Sequence, residues 1–569
     1  MFKFHFSDNN TNVWRNIDMN ILSFSPFGYE GSLVTIEVDL RRGIPAIDIV
    51  GLADNAVKES RERMKSAIIN SGFDFPKERV LISLSPADLK KEGAGFDLAL
   101  ALAVLFAQKT ISPEISSEVS PENPNSKSVL VMGELELSGK LRPVRGIHAA
   151  VATAKENGVK YCIVSKENEN EAKGAMEGVF ACSSLKEAFV ALEKIGASEG
   201  AEFTEQGTSV NSFLRDSFSA SVGGQFEGAL FDTFSDIEVE FPPVEEGEDF
   251  SQVFGQDFLV RGLQIAASGR HNVIAFGPPG CGKTLALQRY KSLIPNLSVQ
   301  ESQSVTRIYS LAGLIGQNVS LVHSRPFRMP HQSASLEGMC GGGVHCIPGE
   351  ISLAHNGVLF LDEAAEFRTS VLQMLRVPLE QGSITLSRAG RSTTYPADFQ
   401  LLLATNPCPC GNFGSKDKIC LCSVHSVEQY WKKFSAPLLD RIDIRIPVFN
   451  STPQVASESN NLSKSLARSS KELRLDIARA INTQMKRQGK YNSRLNPEEI
   501  NYYCKLNDES SSFLEKIADE SNFSKRAVHS CIKIARTIAD MAGSYDIRLS
   551  DLQEAVEYRK NEGGVELCF

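Results

Sequence analysis

The sequence predicts an α/β protein in three folded parts, and three observations carry that reading. Between 251 and about 449, short apolar runs alternate with helical patterns, the signature of a mostly parallel sheet with helices on both faces. Residues 1–195 mix strand and helix patterns as a separate α/β unit, and Lys471–Tyr558 reads as helix. At 569 residues the chain is too long for one core, so it must divide into domains.

In chain order, Leu33–Asp39 and Val80–Ser85 alternate like strands, and Asp54–Asn70 and Asp97–Ala107 repeat apolar residues at helical spacing. A polar break at 112–127 precedes strand character at Val129–Leu137 and a helix at Gly146–Asn157. The acidic, Gly/Ser-rich segment 196–240 reads as a linker, with a short amphipathic piece at Phe213–Phe234. The sheet-bearing core takes 241–450, a Ser/Asn-rich linker 451–470, and the helical unit 471–569.

Leu98–Ala107, the longest nearly pure apolar stretch, is about half of what a membrane span needs. The first residues, MFKFHFSDNN, lack the apolar core of a signal peptide. A soluble, cytoplasmic protein with no membrane contact is expected. In such a reducing compartment, clustered cysteines among the total of twelve point to metal ligation. The net charge of −9 is uneven: residues 199–250 hold thirteen Asp/Glu against one Arg, leaving +3 for the rest. Residues 464–494 carry nine Lys/Arg against two acids, either a solvated helix face or a phosphate-binding surface.

The chemistry is densest after Val273–Phe276. This apolar strand runs into Gly277-Pro278-Pro279-Gly280-Cys281-Gly282-Lys283-Thr284 and then a helical stretch, the strand–loop–helix context of a phosphate-binding loop. Its glycines let backbone N–H groups wrap phosphates, Lys283 reaches the β- and γ-phosphates of ATP, and Thr284 ligates Mg²⁺. A second buried strand, Gly357–Leu361, ends in Asp362-Glu363. Asp362 is expected to hold the Mg²⁺ shell and Glu363 to polarise the attacking water. A third strand, Gln400–Thr405, ends at Asn406, an amide able to orient that water.

Four cysteines follow. Cys408-Pro-Cys410, nine residues, then Cys420-Leu-Cys422 give a closed four-thiolate set that fits structural Zn²⁺ and leaves no open position for catalysis. Thiols simply packed in a loop are the alternative.

The segments GPPGCGKT, RPFRMPHQSAS, GEISLAHNGVLFLDEAAEF, ATNPCPCGNFG and SAPLLDRIDIRI resemble magnesium-chelatase-like AAA+ ATPases, most closely the bacterial ComM/YifB family. The resemblance covers most of 20–190 and 240–560. It implies an AAA+ core with a C-terminal helical lid, assembled as a homo-hexamer that hydrolyses ATP with Mg²⁺. It makes Asn406 the first sensor, Arg441 the arginine finger on a neighbouring subunit's ATP, and Arg526 the second sensor on the lid. Asp440 and Asp443 are the residues that would instead tie Arg441 into a salt bridge. Leu336–Gly349 is similar to the family's helix-2 insert. Ser383–Phe399 is similar to its pore hairpin, with Arg388 and Arg391 near the tip as candidate DNA contacts. One departure is Ala436, where the family has glycine before Pro437.

The N-terminal segments Gly51–Arg61, Leu84–Asp88, Lys91–Asp97 and Gly133–Gly139 resemble the Lon-protease-like domain of this family. Ala94 stands where a peptidase needs its serine, so no peptidase activity is expected. The function implied is a DNA-binding motor with branch-migration or helicase activity in homologous recombination or natural transformation. The alternatives are a chelatase-type motor acting on a tetrapyrrole-inserting partner and a protein-remodelling ATPase.

Overall fold

The computed structural model describes residues 19–87, 89, 91, 93–110, 127–197, 239–316, 318–343, 345–388, 391–413, 418–449 and 468–560. Most of the 112–127 break, the whole Phe213–Phe234 piece and most of both linkers lie outside the described residues.

The N-terminal unit is built on a seven-stranded sheet. Its spatial order is Ile47–Val50, Arg79–Ser85, Ser32–Arg41, Met19–Ser25, Lys127–Val131, Tyr161–Ser165, Val179–Cys182. Ser32–Arg41 runs antiparallel to both neighbours and every other pairing is parallel. Helix Asn55–Asn70 starts at Asp54, whose carboxylate accepts the Val57 N–H, and turns Val57, Met64, Ala67 and Ile68 inward. Helix Asp97–Thr110 is buried on nearly every side from Leu98 to Leu105, so its apolar sequence is core. Among the described residues no helix is long and apolar enough to cross a membrane.

The strand expected at Val129–Leu137 is broken. The sheet strand ends at Val131, and Glu134–Leu135 pairs with Leu141–Arg142 in a separate ribbon. Gly133 exchanges backbone bonds with Gly95 and Leu98, which turns the chain off the sheet.

The core sheet has five parallel strands in the order Phe327–Arg328, Val358–Leu361, Gln400–Thr405, Val273–Phe276, Ile444–Pro447. The four-residue strands Val273–Phe276 and Val358–Leu361 are wholly buried. The expected hairpin forms as Ser383–Arg388 against Arg391–Pro396, and the Leu336–Gly349 segment folds into a short helix and a two-residue ribbon. The N-terminal unit touches the middle of this hairpin, at Thr393 opposite Leu386. The Tyr29 N–H donates to Thr393 Oγ1 at 3.0 Å, and Arg307 of helix Val299–Ala312 bonds the Tyr29 and Glu30 carbonyls.

The C-terminal helices Ser470–Gln488, Pro497–Tyr503, Asp508–Glu520, Lys525–Met541 and Leu549–Glu557 share one apolar cluster with the core. No residue of these helices lines the phosphate-loop cavity, and several of their polar contacts fall at the edge where the core strands begin. Arg494 pairs with Asp398 just before Gln400–Thr405, and Asp443 just before Ile444 joins His271 and Ser530. The expected lid therefore does not cover the phosphate loop of its own chain, which lies at the opposite edge. The basic 464–494 stretch is also largely spent internally. Arg468 pairs with Asp476, Arg487 with the fully buried Asp540, Lys490 with Glu499, and Arg474 donates to the Ser292 carbonyl. These bonds leave the stretch mostly neither a solvated face nor a phosphate surface, because its charges are held by the chain itself.

Candidate active site

In a parallel sheet all strands end at the same edge, and loops leaving that edge can converge on one ligand. Three such loops meet here around a cavity of about 360 Å³, lined by Pro279, Gly280, Gly282, Lys283, Thr284, Asp362, Glu363 and Asn406 among others. Gly280 and Gly282 have φ of +81° and +88°, a region that side chains with a Cβ rarely adopt. Gly277 passes so close to the Val448 carbonyl that a Cβ there would lie 2.0 Å from its oxygen. Pro278 and Cys281 complete the loop, with Cys281 buried beneath it.

Lys283 is only 7% exposed, and its ammonium donates to the Gly277 and Pro278 carbonyls at 2.7 and 2.8 Å. The positive charge is thus held within the loop. The Thr284 hydroxyl donates to Asp362 Oδ1 at 3.1 Å, so the two oxygens named from sequence for Mg²⁺ are neighbours although 78 residues separate them. Glu363 is exposed, with φ +48°, a strained conformation for a non-glycine residue at the end of a buried strand. That turn lifts its carboxylate out of the sheet towards solvent. The donor set fits a Mg·triphosphate: loop amides and one ammonium for phosphate, one hydroxyl and one carboxylate for the ion.

Arg441 and Arg526 are elsewhere. Arg441 immediately precedes Ile442–Ile444, and its carbonyl accepts from Asn272, the residue before Val273. It therefore sits where the strands begin, a strand's length, about 13 Å, from the phosphate-loop edge. Arg526 is beside it, because Glu380 bridges both guanidinium groups. Arg441 foremost, then Arg526, hold the Glu380 carboxyl below its usual range. Arg441 also donates to the Pro437 carbonyl at 2.6 Å, while its buried Nε has no partner among the described residues. Neither Asp440 nor Asp443 forms an ion pair with it among the described residues. A cavity of about 440 Å³ at this edge gathers Arg270, Arg494 and Lys533 as well, five fixed cations against Glu380, Asp440 and Asp443. Nothing in the local sequence marks Glu380, a helix residue 61 positions from Arg441.

Ala436 opens the short helix Ala436–Leu439 with an exposed side chain and no positive φ, so a Cβ there meets no constraint. Arg388 is exposed at the hairpin end and pairs in register with Arg391, whose side chain lies outside the described residues. Ala94 begins a short turn, and the nearby buried Lys91 donates to the Pro86 carbonyl.

The four cysteines converge. Their sulfurs all lie within 4.8 Å of one another, with 3.3–3.7 Å among Cys408, Cys410 and Cys420. A zinc–thiolate tetrahedron with bonds of about 2.3 Å has edges near 3.8 Å, so the cluster is the right size. The thiols share charge unevenly. The Asn412 amide foremost draws Cys410 down to about 6, whereas burial pushes Cys420 up to about 12. A divalent cation would settle all four as thiolates.

The five-stranded parallel sheet, the wrapped phosphate loop and the carboxylates on the next strand end define a P-loop ATPase of the AAA+ class. Comparison with known proteins narrows this. Residues 249–456 match the family described as magnesium chelatase, subunit ChlI; 36–168 match subunit ChlI of Mg-chelatase; 467–559 match the ChlI C-terminal family. The chain is 37% identical to the uncharacterized protein YifB of Escherichia coli, covering 94% of this chain and 95% of that protein. It is 35% identical to the competence protein ComM of Haemophilus influenzae, covering 95% and 97%. A Lon protease of Methanosarcina barkeri matches at 28% identity over 27% of this chain and 18% of its own length. The chain belongs to the magnesium-chelatase-like ComM/YifB family of AAA+ ATPases.

Proposed function

We propose that this chain is one subunit of a homo-hexameric, Mg²⁺-dependent ATPase ring that moves branched DNA. The observation that carries the ring is the split site. Lys283, Thr284, Asp362, Glu363 and Asn406 stand at one edge of the sheet, and Arg441 and Arg526 at the other. A rigid chain does not bring both to one ATP, whereas a head-to-tail neighbour does. In this reading Lys283 and the loop amides hold the triphosphate, and Thr284 and Asp362 hold Mg²⁺. Glu363 and Asn406 orient water, and the partner's arginines neutralise charge on the transferring phosphate.

DNA is proposed from likeness to a protein named for competence and from Arg388 and Arg391 at the hairpin end. Repeated around a ring, modest phosphate contacts add through multivalency. The test is turnover measured with no polymer, duplex DNA, a four-way junction and an unfolded protein. Junction-stimulated turnover that falls steeply with salt is expected, together with junction movement that needs hydrolysable ATP. The double variant Arg388→Ala, Arg391→Ala should keep basal turnover and lose the stimulation. Stimulation by unfolded protein alone would favour the protein-remodelling alternative. No polymer response would favour a chelatase-type motor.

The cysteine cluster is proposed to hold one Zn²⁺. Elemental analysis of protein purified without added metal should give about one zinc per chain, and Cys420→Ser with Cys422→Ser should abolish it.

A further inference from the structure

We propose that the metal in the four-cysteine knuckle controls ATP turnover, because the knuckle packs directly behind Asn406 and Pro279 in the wall of the nucleotide site. The inference rests on the ATPase and zinc readings above and concerns regulation of that same site.

The covalent path is short. Asn406, which lines the nucleotide cavity, is separated from the first ligand, Cys408, by Pro407 alone. Cys408 is fully buried and accepts the Phe413 N–H at 3.3 Å. The Pro407 carbonyl accepts from Trp431 Nε1 at 3.0 Å, and the Trp431 ring meets Phe276 edge-on at 5.7 Å. Phe276 is the last residue before the phosphate loop. Movement of the knuckle therefore reaches both the Asn406 amide and the strand that feeds the loop.

The second path is by contact. Gly411 lies between the two cysteine pairs, with φ +78°. A Cβ on it would be 2.8 Å from Pro279 Cδ in the phosphate loop and 3.9 Å from Asn406 Cγ. One glycine of the knuckle thus packs between the two halves of the site, and packing that close leaves little room for displacement.

An ion bound by all four sulfurs ties Cys408 and Cys410 to Cys420 and Cys422 and so holds Gly411, the residue after Cys410, in place. Without the ion only weak thiol contacts hold Cys410, and Gly411 beside it is free to shift. Catalysis by positioning is sensitive to this, since a shift of about 1 Å costs about 10²-fold in rate. No knuckle residue lines the nucleotide cavity; they act through Asn406 and Pro279.

The experiment uses the full-length protein in three forms: wild type, Cys420→Ser with Cys422→Ser, and Gly411→Ala. Zinc content, binding of a fluorescent ATP analogue, thermal midpoint and turnover are measured on each. Gly411→Ala keeps all four ligands but cannot seat against Pro279. It should retain about one zinc per chain and a near-normal thermal midpoint, while kcat falls at least tenfold, as about 1.4 kcal/mol of lost positioning predicts. Removing zinc from wild type with a chelator should lower kcat by a similar factor and change nucleotide affinity, and added Zn²⁺ should restore both.

If zinc leaves while analogue binding and turnover stay unchanged, or Gly411→Ala turns over normally, the control is refuted. Absence of zinc from fully active wild-type protein also refutes it, and leaves the ATPase reading standing. Failure of the ATPase reading looks different: wild type with full zinc neither binds the analogue nor hydrolyses ATP.

Discussion

Replacing Lys283 by alanine is expected to lower ATP hydrolysis by at least about 10³-fold and to weaken nucleotide binding. The ammonium is the cation that the phosphate loop itself supplies, and it is already aimed within that loop by the Gly277 and Pro278 carbonyls. Losing one preorganised donor to a developing oxyanion costs about 10²–10³-fold, and Lys283 adds a full charge that bears on binding as well. Glu363→Gln is the informative contrast. It keeps the loop and the Thr284–Asp362 pair, so binding should survive while turnover falls by about 10²–10⁴-fold with loss of the base. Phosphate release and titration with a fluorescent ATP analogue separate the two outcomes. Wild-type turnover in the Glu363 variant would remove it from the catalytic role.

Arg441→Ala should also be severe, because an arginine finger contributes about 10³–10⁵-fold to phosphoryl transfer. Its competing role is local: Arg441 pairs with Glu380 and caps the Pro437 carbonyl, so its loss could act through folding. Mixing separates the roles. Where an Arg441→Ala subunit supplies Lys283 and a Lys283→Ala neighbour supplies Arg441, one interface has both groups intact. In a random equal mixture about a quarter of head-to-tail interfaces are of this kind, so turnover should return towards that fraction. Two inactive proteins that co-assemble without recovering activity would assign Arg441 to structure. The partner on Glu380 gives a second check, since Arg526→Ala should be rescued in the same mixture if it also serves the neighbouring ATP.

Much of the fold was legible because its signals are periodic. The alternation at Val80–Ser85 and the helical spacing at Asp54–Asn70 both became elements within a residue or two of the expected bounds. Strands that lack a period were passed over. Ile47–Val50 and Val179–Cys182 have four residues each, and Tyr161–Ser165 is mostly buried without alternation, so each is too short or too uniformly apolar to stand out as a strand. Val129–Leu137 failed for the opposite reason. Its apolar character continues past Val131, but backbone bonds from Gly133 to Gly95 and Leu98 end the strand, and those partners are distant in sequence.

The candidate site divides along the same line. The phosphate loop, the Asp362-Glu363 pair and the four cysteines are legible in the local sequence. Each is a local chemical requirement written in adjacent residues: glycines where φ must be positive, a lysine for phosphate, paired thiols for a metal. Which of these groups can act together is set by the fold. It set Thr284 against Asp362 and seated Gly411 on Pro279. It also put Arg441 and Arg526 on Glu380 at the far edge of the sheet. It likewise spent most of the basic 464–494 stretch on internal partners such as Asp540 and moved the helical unit away from its own phosphate loop. The physical reason is strand direction. A motif fixes what a strand end can do, but parallel pairing in a folded sheet decides which edge it occupies and which charges share that edge.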